Sequence, residues 1–180
     1  LIIFSIIGML AFVSLLGNYT TALDAFQIEL GVTIFDSGYT QLELPPFGQV
    51  RAQTHMLPLM LKVRLTNINL DQLQSIIEKT KNQEYLNNLR DLIRRKVQIF
   101  LARLLLLAFV GGFAGPFFIG ERKSKRLLAG AVIGVFVLAI LVTSAYLTYD
   151  PMAFMNPEFE GILKAAPWMF GLIEDTLFNV

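Results

Sequence analysis

The sequence predicts a membrane protein of the α+β class, with three transmembrane helices and a small extracytoplasmic antiparallel β-sheet between the first and second helix. Hydrophobic residues make up 54% of the 180 residues and charged residues only 16%, whereas soluble domains carry about 25% charged residues. Two apolar segments, 99–119 and 127–148, are joined by a short basic loop. Residues 25–66 alternate between apolar and polar, which is typical of strands.

The first element, residues 1–17, contains no charged residue. A transmembrane helix needs about 20 apolar residues at about 1.5 Å each, so this segment is just long enough for the first span. A cleaved signal peptide is the alternative. Because the chain begins inside an apolar run at Leu1 and ends inside a predicted helix at Val180, we expect it to be a piece of a longer protein.

Residues 18–70 are predicted to form the extracytoplasmic β-sheet. The alternation is strong over 26–34 and 57–66 and weaker over 40–44 and 49–54, which predicts about four strands separated by Gly- and Pro-containing turns. So small a sheet needs a cover for its apolar face. Residues 71–98 have apolar side chains at helical spacing. We expect this amphipathic helix to cover the sheet and to continue into the membrane.

The loop 121–126 predicts the orientation of the helical hairpin 99–148. It holds four basic residues and one acid, so the positive-inside rule places it in the cytoplasm. The sheet and residues 149–180, read as a connector helix that begins near residue 158, would then lie outside. The residues that determine this topology are Arg122, Lys123, Lys125 and Arg126.

Two G-x-x-x-G pairs lie at matching predicted depths in the hairpin: Gly111 with Gly115, and Gly130 with Gly134. Small residues allow helix backbones to approach closely. We therefore expect these two pairs to form the contact between the helices of the hairpin. The alternative is that glycine is simply common in transmembrane helices.

A basic cluster precedes and enters the second span, and its members are candidate contacts for lipid headgroups or for an anionic partner. The favoured alternative is an anchoring collar, in which long side chains extend towards the membrane surface. The cluster consists of Arg90, Arg94, Arg95, Lys96 and Arg103.

The residue types present argue against several kinds of function. There is no Cys, and His55 is the single His, so neither a metal site nor a catalytic triad is predicted. We interpret His55 as a structural residue of the loop 54–58. The predicted spans lack Asp, Glu, Lys and His, which argues against transport. A net charge of +1 provides no field for nucleic acid. No catalytic, cofactor-binding or metal-binding residue is therefore assigned.

Two passages carry a resemblance to a known family. The first is PPFGQVRAQTHMLP at 45–58, and the second combines TYDP at 148–151, NPEFEGIL at 156–163 and AAP at 165–167. With the order of spans, they resemble the N-terminal membrane region of bacterial calcineurin-like metallophosphoesterases. The resemblance implies a catalytic domain after residue 180 that hydrolyses phosphate esters at a two-metal centre. None of that family's metal motifs occurs in residues 1–180.

We therefore expect the non-catalytic membrane anchor of a cell-surface metallophosphoesterase, located in the bacterial cytoplasmic membrane. Its partners would be the lipid bilayer and a downstream catalytic domain of the same chain, with a homo-oligomer left open and no nucleic acid. One alternative is a stand-alone membrane assembly or binding subunit that recognises a partner through its sheet. A weaker one is a lipid sensor that uses the cluster 90–96.

Overall fold

The computed structural model describes residues 1–34, 38–69 and 83–165. The α+β class predicted from the sequence is confirmed. The helices and strands of this part of the chain are, in order, α1 (Ile2–Leu16), β1 (Tyr19–Leu23), β2 (Phe26–Ile34), β3 (Tyr39–Leu44), β4 (Gly48–Gln53), β5 (Leu59–Ile68), α2 (Gln83–Phe118), α3 (Ser124–Leu147) and β6 (Glu158–Gly161). Short 3-10 helices, Pro151–Met155 and Ile162–Ala165, lie on either side of β6.

In the described residues the sheet has six strands in the order β1-β2-β5-β3-β4-β6. It is mixed, because β3 runs parallel to β5, with Leu42 opposite Val63. The prediction of about four antiparallel strands is therefore wrong in strand number and in one pairing. The loop after β4 carries the chain back so that β5 inserts between β2 and β3, an arrangement that alternation along the sequence does not specify.

Side-chain alternation divides the sheet into an apolar and a polar face. In the β2–β5 pair, Leu30 lies opposite Val63 and Val32 opposite Leu61. These side chains share the face turned towards the helices. The other face carries the charged side chains of the same strands, among them Lys62.

Helix α2 is continuous from Gln83 to Phe118 and is 36 residues long. It joins the second half of the predicted amphipathic helix to the second predicted span; residues 70–82 lie outside the described residues. Of the helices described, α2 and α3 are long and apolar enough to cross a membrane, judged by length and composition. Helix α1 is also apolar but has only 15 residues.

The connector helix predicted from residue 158 is wrong at its beginning. Glu158–Gly161 is strand β6, which pairs antiparallel with β4 and places Glu158 opposite Arg51. A 3-10 helix follows over Ile162–Ala165, and residues 166–180 lie outside the described part of the chain. The edge of β4 offers unpaired backbone groups to this segment, and such pairing outweighs a weak local helical preference.

A single hydrophobic core runs from the helices into the sheet. Ile34 and Leu59 of the sheet belong to the same buried cluster as Phe100 and Leu104 of α2 and Leu138 of α3. A backbone hydrogen bond of 2.8 Å from Asp150 N to Thr54 O also joins the end of α3 to the loop after β4. The sheet therefore packs directly against the helices through a shared core and is not merely connected to them by the chain.

Candidate functional site

The helices meet at a junction of small residues. A methyl group placed on Gly111 would lie 2.5 Å from the backbone oxygen of Gly8 in α1. One placed on Gly112 would lie 2.6 Å from the backbone oxygen of Gly130 in α3. Such distances leave no room for a side chain, so the backbones of α1 and α3 both touch α2 here.

This geometry corrects the predicted pairing of the two G-x-x-x-G motifs. Gly111 and Gly115 face α1, where Gly115 packs against Phe4 and Gly8. Gly130 and Gly134 of α3 instead meet Gly112, together with Pro116 at Gly130 and Ala108 at Gly134. Neighbouring residues on a helix point about 100° apart, so the adjacent glycines 111 and 112 serve two different neighbours.

Arg103 lies at the C-terminal end of α1. Its Nη2 donates a hydrogen bond of 3.2 Å to the backbone oxygen of Leu16, and its guanidinium lies 5.8 Å from the ring centre of Tyr19. A cation stabilises the unpaired carbonyls at a helix C-terminus. The side chains of Arg90, Arg94 and Arg95 are exposed on α2, and that of Lys96 is half-buried.

The basic loop between α2 and α3 is ordered around its one acid. The side chain of Glu121 accepts hydrogen bonds from Arg126 Nη1 at 2.9 Å and from the backbone nitrogen of Lys123 at 3.1 Å. Chiefly through the Arg126 contact, the pKa of Glu121 lies below its usual value. Arg122 lies 4.8 Å from the ring centre of Phe117. Lys125 is exposed in the first turn of α3.

The polar face of the sheet carries an ion-pair network that sequence reasoning missed. Glu43 of β3 binds both Lys62, at 2.6 Å, and Arg64 of the parallel neighbour β5. Burial raises the pKa of Glu43, but the hydrogen bonds from these two cations outweigh it and hold the pKa below its usual value. Arg51 of β4 forms an ion pair of 3.3 Å with Glu160 of β6. These contacts depend on strand order, so spacing along the sequence gives no signal for them.

His55 is buried and forms two hydrogen bonds. Its Nε2 lies 2.6 Å from the backbone oxygen of Leu59, which can only accept, so Nε2 carries the proton in the neutral ring. Its Nδ1 lies 2.9 Å from the hydroxyl of Thr54, which lies 2.7 Å from that of Thr40. These hydrogen bonds of His55 stabilise the loop before β5. No cluster of three His, Asp or Glu side chains suited to a metal occurs in residues 1–34, 38–69 and 83–165.

An apolar groove separates the apolar face of the sheet from α2 and the end of α3. A cavity of about 400 Å³ lies near the core and is bounded by Leu61, Phe100 and Val142. A second, of about 350 Å³, continues along the sheet towards Tyr85. The described part of the predicted amphipathic helix, residues 83–98, therefore lies over the apolar face of the sheet and leaves these two cavities between them.

These features define an α+β protein whose sheet packs on a bundle of apolar helices. It has a helix junction, an ion-pair network and an apolar groove. No arrangement of catalytic side chains is found among the described residues. No protein-family model, curated protein or solved structure matches this chain. The relation to metallophosphoesterases therefore remains a prediction that rests on the residues 45–58 and 148–167.

Proposed function

We propose that this chain is the non-catalytic membrane anchor of a bacterial cell-surface metallophosphoesterase. In this proposal α1, α2 and α3 all cross the cytoplasmic membrane, the loop 121–126 lies in the cytoplasm, and the sheet lies outside. The catalytic domain would follow residue 180 and would carry its own two-metal centre. Tethering would confine that enzyme to phosphate esters at the membrane surface.

The observation that carries the proposal is the return of the chain to the sheet after α3. Strand β6 pairs with β4, Glu160 forms an ion pair with Arg51, and Leu163 N donates a hydrogen bond of 3.2 Å to Phe47 O. Anything joined beyond this point would begin at a defined place on the sheet edge. An anchor that positions an enzyme needs such an attachment.

The shared core supports the same role. Leu59 of β5 and Leu104 of α2 are almost completely buried in one cluster. Sheet and helices must therefore move together, so a domain attached to the sheet would keep its height above the bilayer. A flexible tether would supply attachment without this positioning.

The coding sequence after residue 180 tests the proposal. We expect a further domain, within the usual range of about 50–250 residues, containing Asp-x-His and Gly-Asn-His-Asp motifs. The full-length protein in membrane vesicles should then hydrolyse a phosphodiester when Mn²⁺ is supplied and lose that activity on chelation. A stop codon shortly after Val180 would contradict the proposal.

A second function, a stand-alone membrane assembly or binding subunit, is favoured by the charged face of the sheet. A shallow depression of about 450 Å³ there is lined by Glu43, Gln49, Arg64 and Glu160, which offer both signs of charge to a partner. A reading frame that ends near residue 180, together with a stoichiometric cross-linked partner in native membranes, would favour this function. Loss of that cross-link in Glu160→Lys would locate the contact.

A further inference from the structure

The groove between the sheet and the helices consists of two cavities that share Val63 in their walls. We call the one near the core the proximal cavity and the one near Tyr85 the distal cavity. Their volumes, about 400 and 350 Å³, both fall in the range of sites that hold small molecules. We propose that this groove binds a hydrocarbon chain of a lipid drawn from the surrounding membrane.

The walls of the groove have the chemistry of a hydrocarbon site. The sheet contributes apolar side chains such as Leu30 and Leu61, and α2 contributes Val97 and Phe100. The distal cavity ends at Tyr85, whose hydroxyl donates a hydrogen bond of 2.6 Å to Asp24. These two polar groups satisfy each other, and Lys62, which also borders the proximal cavity, pairs with Glu43. The lining therefore favours apolar contact over hydrogen bonding with a ligand.

The position of the groove identifies its occupant. Its proximal end is walled by Leu101 and Val142, which belong to the two helices long enough to cross a membrane. Under the proposed topology, which this inference requires, that end opens at the level of the outer leaflet. The lipid-facing surface of α2 is therefore continuous with the groove. The acyl chains of the bilayer are the apolar groups nearest to its opening.

The shape of the groove also fits a chain. The stripe of α2 that lines it includes Tyr85, Leu89, Ile93, Val97 and Leu104, which spans about 28 Å at about 1.5 Å per residue. Ile93 and Val97 remain 42% and 41% exposed although they face the sheet. A groove of this length with incompletely covered apolar walls suits a linear hydrocarbon better than a compact molecule.

Photolabelling tests the proposal on the whole chain in membranes. The protein is reconstituted in vesicles of phosphatidylcholine that carries a diazirine near the end of one acyl chain, and labelled peptides are mapped by mass spectrometry. We expect label on Leu65 of β5, which lines only the distal cavity, away from the opening. Under the proposed topology this strand lies outside the bilayer, so ordinary lipid contact would not label it.

Two tryptophan variants on one strand provide a matched comparison. Leu30→Trp fills the proximal cavity and should abolish the β5 label, whereas Thr33→Trp, whose side chain is exposed on the opposite face of β2, should retain it. Labelling of α2 and resistance to alkaline carbonate extraction show that each variant is folded and integrated. Release of the parent protein from the membrane by alkaline carbonate would contradict the proposed membrane anchor itself.

An integrated parent protein without label on β5 would overturn the groove proposal alone. So would a disulfide between Val63→Cys and either Ile76→Cys or Leu177→Cys within one chain, because the groove would then hold a segment of the protein. A Val63→Cys disulfide between two chains would assign the groove to a second copy and would also overturn it. The chain has no native cysteine to interfere.

Discussion

Replacing Gly112 by alanine tests the helix junction most sharply. The added methyl would lie 2.6 Å from the Gly130 backbone oxygen, about 0.8 Å inside the 3.4 Å at which ordinary contact begins. It would also approach the Cα atoms of Ala131 and Gly134 to 3.2 Å. Because all three obstacles are backbone or Cα atoms, no side-chain rotation relieves them, and α2 and α3 must move apart.

The magnitude follows from two opposing effects. Forcing extra atoms into a packed site costs about 1–3 kcal/mol, while alanine favours a helix over glycine by about 1 kcal/mol. We therefore expect Gly112→Ala to lower the free energy of unfolding by about 1 kcal/mol, from the difference of these ranges. Ala102→Leu, at an exposed position of the same helix, is the matched control and should change it little.

The free energy of unfolding is measured by reversible unfolding with SDS in mixed micelles. Distances between spin labels on the helices are then measured in the folded protein. Gly112→Ala should lengthen the α2–α3 distance, and Gly111→Ala, whose methyl meets Gly8, should lengthen the α1–α2 distance instead. If Gly112→Ala leaves the α2–α3 distance unchanged, or if both variants separate the same pair of helices, the described junction is wrong.

Three further predictions concern single side chains. The folded pKa of Glu43 lies below its usual value of 4.5, so its ion pairs stabilise the fold fully above that pH and progressively less as the pH falls through the lowered folded pKa. Glu43→Gln should therefore weaken the dependence of the free energy of unfolding on pH in the acidic range. An unchanged pH dependence would exclude this role. Thr54→Val removes the partner of His55 Nδ1 and should cost about 1–3 kcal/mol in the same unfolding assay, whereas Thr20→Val, at an exposed position of β1, should cost less than about 0.5 kcal/mol; equal losses would contradict the account of His55. Arg103→Gln should lose about 1 kcal/mol with the cap of α1, and Arg103→Lys should recover part of it; a neutral Arg103→Gln would refute the capping contact.

Local patterns predicted those elements whose environment is the same along their length. Residues 26–34 alternate because one side of β2 faces the helices throughout, and the alternation over 57–66 locates most of β5. The apolar segments of α2 and α3 are visible for the same reason. Strand β6 was missed because residues 158–161 gain their conformation from the edge of β4, far away in sequence.

The candidate sites required information that spacing alone does not contain. The motif at 111–115 predicted close packing, but the neighbouring Gly112 made the choice of partner ambiguous, and only the placement of α1 resolves it. The Glu43 network depends on the parallel pairing of β3 with β5. The groove results from the distance between α2 and the sheet, which no residue pattern reports.

We propose that the sheet and the loop 121–126 lie on opposite sides of a membrane. Since the chain has no cysteine, Gln27→Cys on the sheet and Ser124→Cys in the loop can each be probed with a membrane-impermeant maleimide in intact bacterial cells. The account predicts that Gln27→Cys is labelled at once and Ser124→Cys only after permeabilisation. Equal labelling of both positions in intact cells, or the reverse order, would contradict it.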